Sequence, residues 1–159
     1  METEKTIKVL YVDDELNSLN VFKASFRKHF TIFTASSAGE AVKILTENEI
    51  HVLISDQKMP GVRGTQLLEH AVKIYPNQSR ILITAYAEME SLIVAVQKGH
   101  IFDFVRKPWN DEELTDKIYA AYEACSVKTD HEKKLKSMEE KIKILEERIR
   151  RVLDENDNQ

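Results

Sequence analysis

The chain of 159 residues is 42% hydrophobic and carries a formal charge of -4. One substantial core with an appendage fits that length, whereas two full domains would be crowded. The acidic balance excludes a global basic field that would favour nucleic acid or an anionic membrane, so DNA contact would need a local patch. Cys125 is the sole cysteine, which excludes an intrachain disulfide and any multi-cysteine metal site and fits a reducing cytoplasm. Met1-Glu2-Thr3-Glu4-Lys5 lacks an apolar signal core. No run approaches the roughly 20 apolar residues that span a bilayer, so a soluble chain without a membrane partner is expected.

Ile7-Lys8-Val9-Leu10-Tyr11-Val12 is a short apolar run ending in two acids and reads as a strand buried on both faces. Leu19, Phe22 and Phe26 follow at helical spacing. Thr31-Ile32-Phe33-Thr34-Ala35 is a second candidate strand, and Ser37 with Glu40 forms a capping box opening a helix that carries Ala41, Ile44 and Leu45. His51-Val52-Leu53-Ile54-Ser55 gives a third strand. Leu67, Leu68, Ala71, Val72 and Tyr75 mark a third helix that Pro76 ends. Arg80-Ile81-Leu82-Ile83-Thr84 is the fourth strand, and Leu92, Ile93 and Val96 mark a fourth helix with Gly99 as its stop. Phe102-Asp103-Phe104-Val105-Arg106 is the fifth strand. This alternation predicts right-handed crossovers and a parallel α/β sheet covered on both faces.

After Pro108, Asn110 is placed to cap a fifth helix with Glu113 reaching back, and Leu114, Ile118, Ala121, Tyr122 and Cys125 supply its buried stripe. From Val127 to Leu153 there is neither glycine nor proline. Leu135, Met138, Ile142, Leu145, Ile149 and Val152 fall at alternating spacings of three and four, the a and d positions of a heptad. With Leu135 at a, Lys134 and Lys141 occupy g and attract Glu139 and Glu146 at e across a parallel dimer seam. Glu139–Lys143, Glu146–Arg150 and Glu147–Arg151 also stand at the favourable i,i+4 spacing. A single amphipathic helix packed back on the domain is the competing reading, and these flanking charges argue against it. Lys128 and His131 lie on the seam upstream and weaken it there. The expected organisation is a domain over 1–126, a coiled-coil dimerisation helix over 127–153 and a disordered tail over 154–159.

The unusual polar residues all end strands. Asp13 and Asp14 follow the first, Asp56 the third and Lys107 the fifth, while Thr84 ends the fourth. In a parallel α/β sheet, ligand sites form outside the carboxyl ends of the strands. Crowded carboxylates repel, and a hard oxygen-seeking cation, Mg²⁺ by expectation, relieves the repulsion. A carboxylate oxygen can then attack a phosphoryl group while metal and lysine neutralise the equatorial oxygens, giving an acyl phosphate. An Asp-Asp pair alone is weak evidence of this chemistry, because acids at strand ends often cap the next helix; the joint register of the set is specific. His29, His51, His70, His100 and His131 share no metal spacing and read as structural or exposed, and Trp109 reads as packing.

Val12-Asp13-Asp14-Glu15, Ser55-Asp56-Gln57-Lys58-Met59-Pro60-Gly61, Ile83-Thr84-Ala85 and Val105-Arg106-Lys107-Pro108-Trp109 resemble, in order and spacing, the signatures of CheY-like response-regulator receiver domains of two-component signalling. The resemblance covers roughly residues 5 to 126. It implies a flavodoxin-like five-stranded sheet of order 2-1-3-4-5 with helix five running on into the coiled coil. It also implies that Asp56 accepts a phosphoryl group from a histidine kinase or phosphotransfer protein. Asp14, Asp56 and the backbone carbonyl of Lys58 would ligate Mg²⁺, with Asp13 acting mainly through water. Lys107 would pair with a phosphoryl oxygen, Thr84 would donate a hydrogen bond to it, and Phe104 matches the rotating aromatic switch. The peptide bond before Pro108 is expected to be cis. Lys58 and Tyr86 occupy positions that in the family influence hydrolytic water, and are expected to shield the acyl phosphate. Gly99-His100-Ile101-Phe102-Asp103 and Lys107-Pro108-Trp109-Asn110 resemble receivers of the hydrogenase-regulator type.

The leading expectation is a phosphorylation-controlled regulator, not an enzyme beyond its own phosphorylation and dephosphorylation, that signals through a coiled coil. Its output would be either protein contact by a stand-alone regulator or an effector, such as a nucleotide cyclase, beyond this chain. A Mg²⁺-dependent aspartyl phosphatase would often carry an Asp two residues after the nucleophile, where this chain has Lys58. A leucine-zipper DNA binder would need a dense basic region, and Asp130 and Glu132 interrupt the lysines there.

Overall fold

The computed structural model describes residues 6–85, 89–98 and 100–158. Gly99, the expected stop of the fourth helix, and Tyr86 lie outside the described residues. Strands and helices alternate as β1 (Lys8–Val12), α1 (Leu16–Phe26), β2 (Thr31–Ala35), α2 (Ala38–Glu47), β3 (Val52–Asp56), α3 (Gly64–Ile74), β4 (Ser79–Thr84), α4 (Met89–Gln97), β5 (Asp103–Arg106) and α5 (Asp111–Asp157). The sheet has five strands in the order β2-β1-β3-β4-β5, every neighbouring pair parallel. The fold is the flavodoxin-like doubly wound arrangement, in which the reversal of strand order at β1 and β3 opens a crevice at their carboxyl ends.

Alternation along β1 explains why all four of its last residues are buried. Val9 and Tyr11 enter the core beneath α1 and α5 with Phe22, Phe26, Leu114 and Ile118. Leu10 and Val12 enter the core on the other face with Leu45, Leu68 and Leu92. Val9, Leu10, Tyr11 and Val12 are each 0% exposed; burial of such side chains contributes about 1.5–3 kcal/mol each. β2 is an edge strand and stays half-buried up to Ala35.

Several local expectations are altered. Ser37 caps α2 by accepting the N–H of Glu40 at 3.1 Å, but the Glu40 carboxylate reaches back to the N–H and hydroxyl of Ser36 rather than to Ser37. α4 turns a different face to the sheet: Leu92 and Ala95 are buried, whereas Ile93 and Val96 are exposed. The small side chain of Ala95 permits that approach, and the bulkier neighbours are left outside. Asn110 does cap α5, accepting from the N–H groups of Glu112 and Glu113 at 2.9 and 3.1 Å. The carboxylate of Glu113 lies 3.8 Å from Lys117.

By compactness the chain divides into Met1–Cys125 and Ser126–Gln159. In the second unit, Leu135, Met138, Ile142, Leu145, Ile149 and Val152 are all exposed. An i,i+4 ion pair there joins Glu132 and Lys136 at 3.4 Å. The helix continues to Asp157, and the segment beyond Leu153 holds no glycine or proline to stop it. No helix among the described residues is long and apolar enough to cross a membrane.

Candidate functional site

Register brings the acids together. Val12 pairs with Ser55 and Asp56 with Ile83, so the residues just past β1 stand level with the end of β3. Thr84 pairs with Arg106, which places Lys107 one step beyond the sheet beside them. One carboxylate oxygen from each of Asp13, Asp14 and Asp56 lies within 4.8 Å of the other two. Lys107 Nζ sits 3.3 Å from Asp13 Oδ2 and 3.2 Å from Asp56 Oδ1. The peptide bond joining Lys107 to Pro108 is cis. Asp14, Glu15, Asp56, Gln57, Lys58, Thr84, Ala85 and Lys107 line one open cleft of about 360 Å³.

Burial separates the acids. Asp13 is 0% exposed and Asp56 7%, while Asp14 faces solvent. Burial raises the Asp56 carboxyl above its ordinary value; Lys107 opposes that shift and Asp13 adds to it. Burial alone would lower the Lys107 ammonium, but the Asp56 and Asp13 charges outweigh it and hold the group above the usual lysine value. One ammonium cannot balance three carboxylates, and the excess of negative charge on convergent oxygens suits a hard divalent cation. An oxygen-only donor set fits such an ion.

The other expected residues are placed as follows. Thr84 is buried at 2%, and its hydroxyl donates to the Ala85 carbonyl at 2.9 Å rather than to Asp56. Phe104 is half-buried against the core under α4. Its carbonyl accepts from Lys117 Nζ at 3.0 Å, and that ammonium also stands 5.8 Å from the Phe104 ring and 3.4 Å from Asp103. Lys58 is exposed at the rim. Of the histidines, His51 accepts the Lys8 N–H at 3.0 Å, and His29, His70 and His131 are exposed. The Trp109 ring packs edge-on against Tyr11 and Phe22.

Three supporting residues escaped sequence reasoning. Gly64 begins α3 directly beneath the Asp56 carbonyl, where a Cβ would collide with backbone. The Gln57 side chain accepts the Thr65 N–H at 2.8 Å and so ties the residue after Asp56 to the start of α3. Tyr11 donates to Asp13 Oδ2 at 2.7 Å; residues two apart on a strand share a face, which is the signal that could have found this pair.

The chain is similar to the hydrogenase transcriptional regulatory protein HoxA of Cupriavidus necator, 33% identical over 128 residues that cover 80% of this chain and 27% of HoxA. It is 28% identical over 129 residues to the transcriptional regulatory protein GlrR of Escherichia coli, covering 80% of this chain and 29% of GlrR. The chain thus spans about a quarter of the length of the curated relatives it matches. Among solved structures, an adenylate cyclase from Rhodopirellula baltica superposes with a TM-score of 0.79 at 28% identity, covering 81% of this chain and 96% of that one. A response regulator receiver domain protein from Clostridium thermocellum does so at 0.72 and 32%, covering 76% and 98%. The sequence profile described as the response regulator receiver domain matches residues 9–119. With that match laid over a 2-1-3-4-5 sheet whose crevice gathers Asp13, Asp14 and Asp56, the chain belongs to the response-regulator receiver domains, a signalling family rather than an enzyme class.

Proposed function

We propose that this protein is a phosphorylation-dependent response regulator in which Asp56 accepts the phosphoryl group and a dimeric coiled coil passes on its state. The observation that carries the reading is the cleft itself: three convergent carboxylates with Lys107 within 3.3 Å of two of them. Asp14, Asp56 and the Lys58 carbonyl would hold Mg²⁺, with Asp13 reaching it through water. Bound there, the ion supplies charge neutralisation to the transferring phosphoryl oxygens. Asp56 attacks the phosphorus of a phosphohistidine on a kinase or phosphotransfer protein, or of a small acyl phosphate; the Asp56 O–P bond forms as the donor's P–N or P–O bond breaks, and the imidazole or carboxylate leaves. Lys107 moves from its carboxylate partners to a phosphoryl oxygen. Thr84 turns its hydroxyl from the Ala85 carbonyl toward the new group, and Phe104 takes the space this opens.

Phe104 lacks a hydroxyl, so its two positions differ in packing. Lys117 on α5 touches both its carbonyl and its ring, which gives the switch a direct handle on the helix that carries the heptads. The apolar a and d residues fit a parallel homodimer. Similarity to an adenylate cyclase and to transcriptional regulators favours an effector as the output, and the HoxA likeness supports the hydrogenase-regulator type of receiver. Cytoplasmic location accords with the signalling chemistry. Cysteine crosslinking along residues 124–142, with and without beryllofluoride and Mg²⁺, tests transmission: a changed profile near Lys128 and His131 is expected, and identical profiles would contradict it.

A further inference from the structure

Tyr11 puts its ring in the core under α1 and α5, yet its hydroxyl reaches Asp13 of the acidic cluster. The residue is 0% exposed. Its ring stacks on Phe22 with centroids 4.2 Å apart and planes at 24°, and meets Trp109 edge-on at 6.3 Å. Aromatic packing therefore fixes where the hydroxyl points. Its acceptor is Asp13 Oδ2 at 2.7 Å.

An ionised carboxylate offers about four acceptor sites. On Asp13, Oδ2 takes the Tyr11 hydroxyl and the Lys107 ammonium at 3.3 Å, while Oδ1 takes the Glu15 N–H at 3.0 Å. The remaining acceptor site is on Oδ1. We infer that Tyr11 is a positioning residue for the cation site: with Lys107 it saturates Oδ2 and presents Asp13 Oδ1 as the oxygen that faces the ion or its water. A phenylalanine at this position would fill the same space and leave that carboxylate without the bond that orients it.

The inference rests on the cleft being a cation site, and calorimetric Mg²⁺ titration of the full chain separates the two ideas. Tyr11→Phe should weaken Mg²⁺ binding roughly tenfold, as expected for losing a hydrogen bond to a charged group. Phe22→Leu disturbs the same stack while keeping the hydroxyl; it should lower the melting temperature but shift Mg²⁺ affinity by less than about twofold. In an Asp13→Asn background, adding Tyr11→Phe should change affinity by less than about twofold, because the two residues act through one bond. Wild-type binding with an unchanged Tyr11→Phe affinity overturns the inference alone. So does a tenfold loss that persists undiminished beside Asp13→Asn. Absence of Mg²⁺ binding by the wild type overturns the cation-site reading and the inference with it.

Discussion

Replacing Ile142 by lysine tests the proposed seam at its centre. Six a and d side chains, Leu135 to Val152, are between 48% and 61% exposed. Complete burial of such a residue stabilises by about 1.5–3 kcal/mol, so covering the exposed half on two chains yields on the order of 10–15 kcal/mol. With an association cost toward the lower end of the estimated 4–15 kcal/mol, the net of about 5–8 kcal/mol corresponds to a weak to moderate dimer with a Kd in the range of about 1–100 μM. Ile142→Lys keeps helix propensity but sets two ammonium groups face to face at an a position and removes two apolar side chains. A loss of about 3 kcal/mol or more follows, raising the Kd by at least roughly a hundredfold. Sedimentation equilibrium on the full chain measures both values. A wild type monomeric at about 1 mM, or a variant that dimerises equally well, would refute the reasoning.

Three further outcomes are expected. Gly64→Ala drives a Cβ into the Asp56 carbonyl and should destabilise by about 1–3 kcal/mol in urea unfolding; an unchanged midpoint would remove the close approach from the account. Lys107→Met, assayed without divalent cation, leaves Asp13 and Asp56 unbalanced. Since the ammonium is 30% exposed, the loss should fall below the value for a fully buried pair, at about 1–3 kcal/mol, and equal stability would contradict this. Burial, with Lys8 adding and Glu49 opposing, holds His51 below its ordinary 6.5. The unfolded chain therefore takes up the proton first: the stabilising contribution is present above pH 6.5 and is lost as pH falls through the lower folded value. His51→Gln should flatten that part of a stability-versus-pH profile, and an identical slope would refute the assignment.

The sheet was legible because β1, β3 and β4 are apolar on both faces, and the acids were legible because they interrupt such runs abruptly. Helix faces were harder. In α4, Ile93 and Val96 are more apolar than Ala95, yet contact with the sheet is decided by the face that allows close approach, and Ala95 is the one buried. Nothing in the sequence marks Gly64, because its constraint comes from Asp56, a neighbour made by folding. Tyr11 read as one more apolar residue of its strand; its polar end mattered only once Asp13 was seen to be wholly buried. Glu40 shows a finer limit: its capping partner was displaced by one residue, a shift that spacing alone does not resolve.

Intact mass spectrometry after incubation with acetyl phosphate bears most directly on the central claim that Asp56 is the phosphoacceptor. With Mg²⁺ the wild type should gain the mass of one phosphoryl group, and it should lose that gain when Mg²⁺ is replaced by chelator or when Asp56 is changed to alanine. A wild type that gains no mass with Mg²⁺ present, or an Asp56→Ala protein phosphorylated to the same extent, would contradict the account.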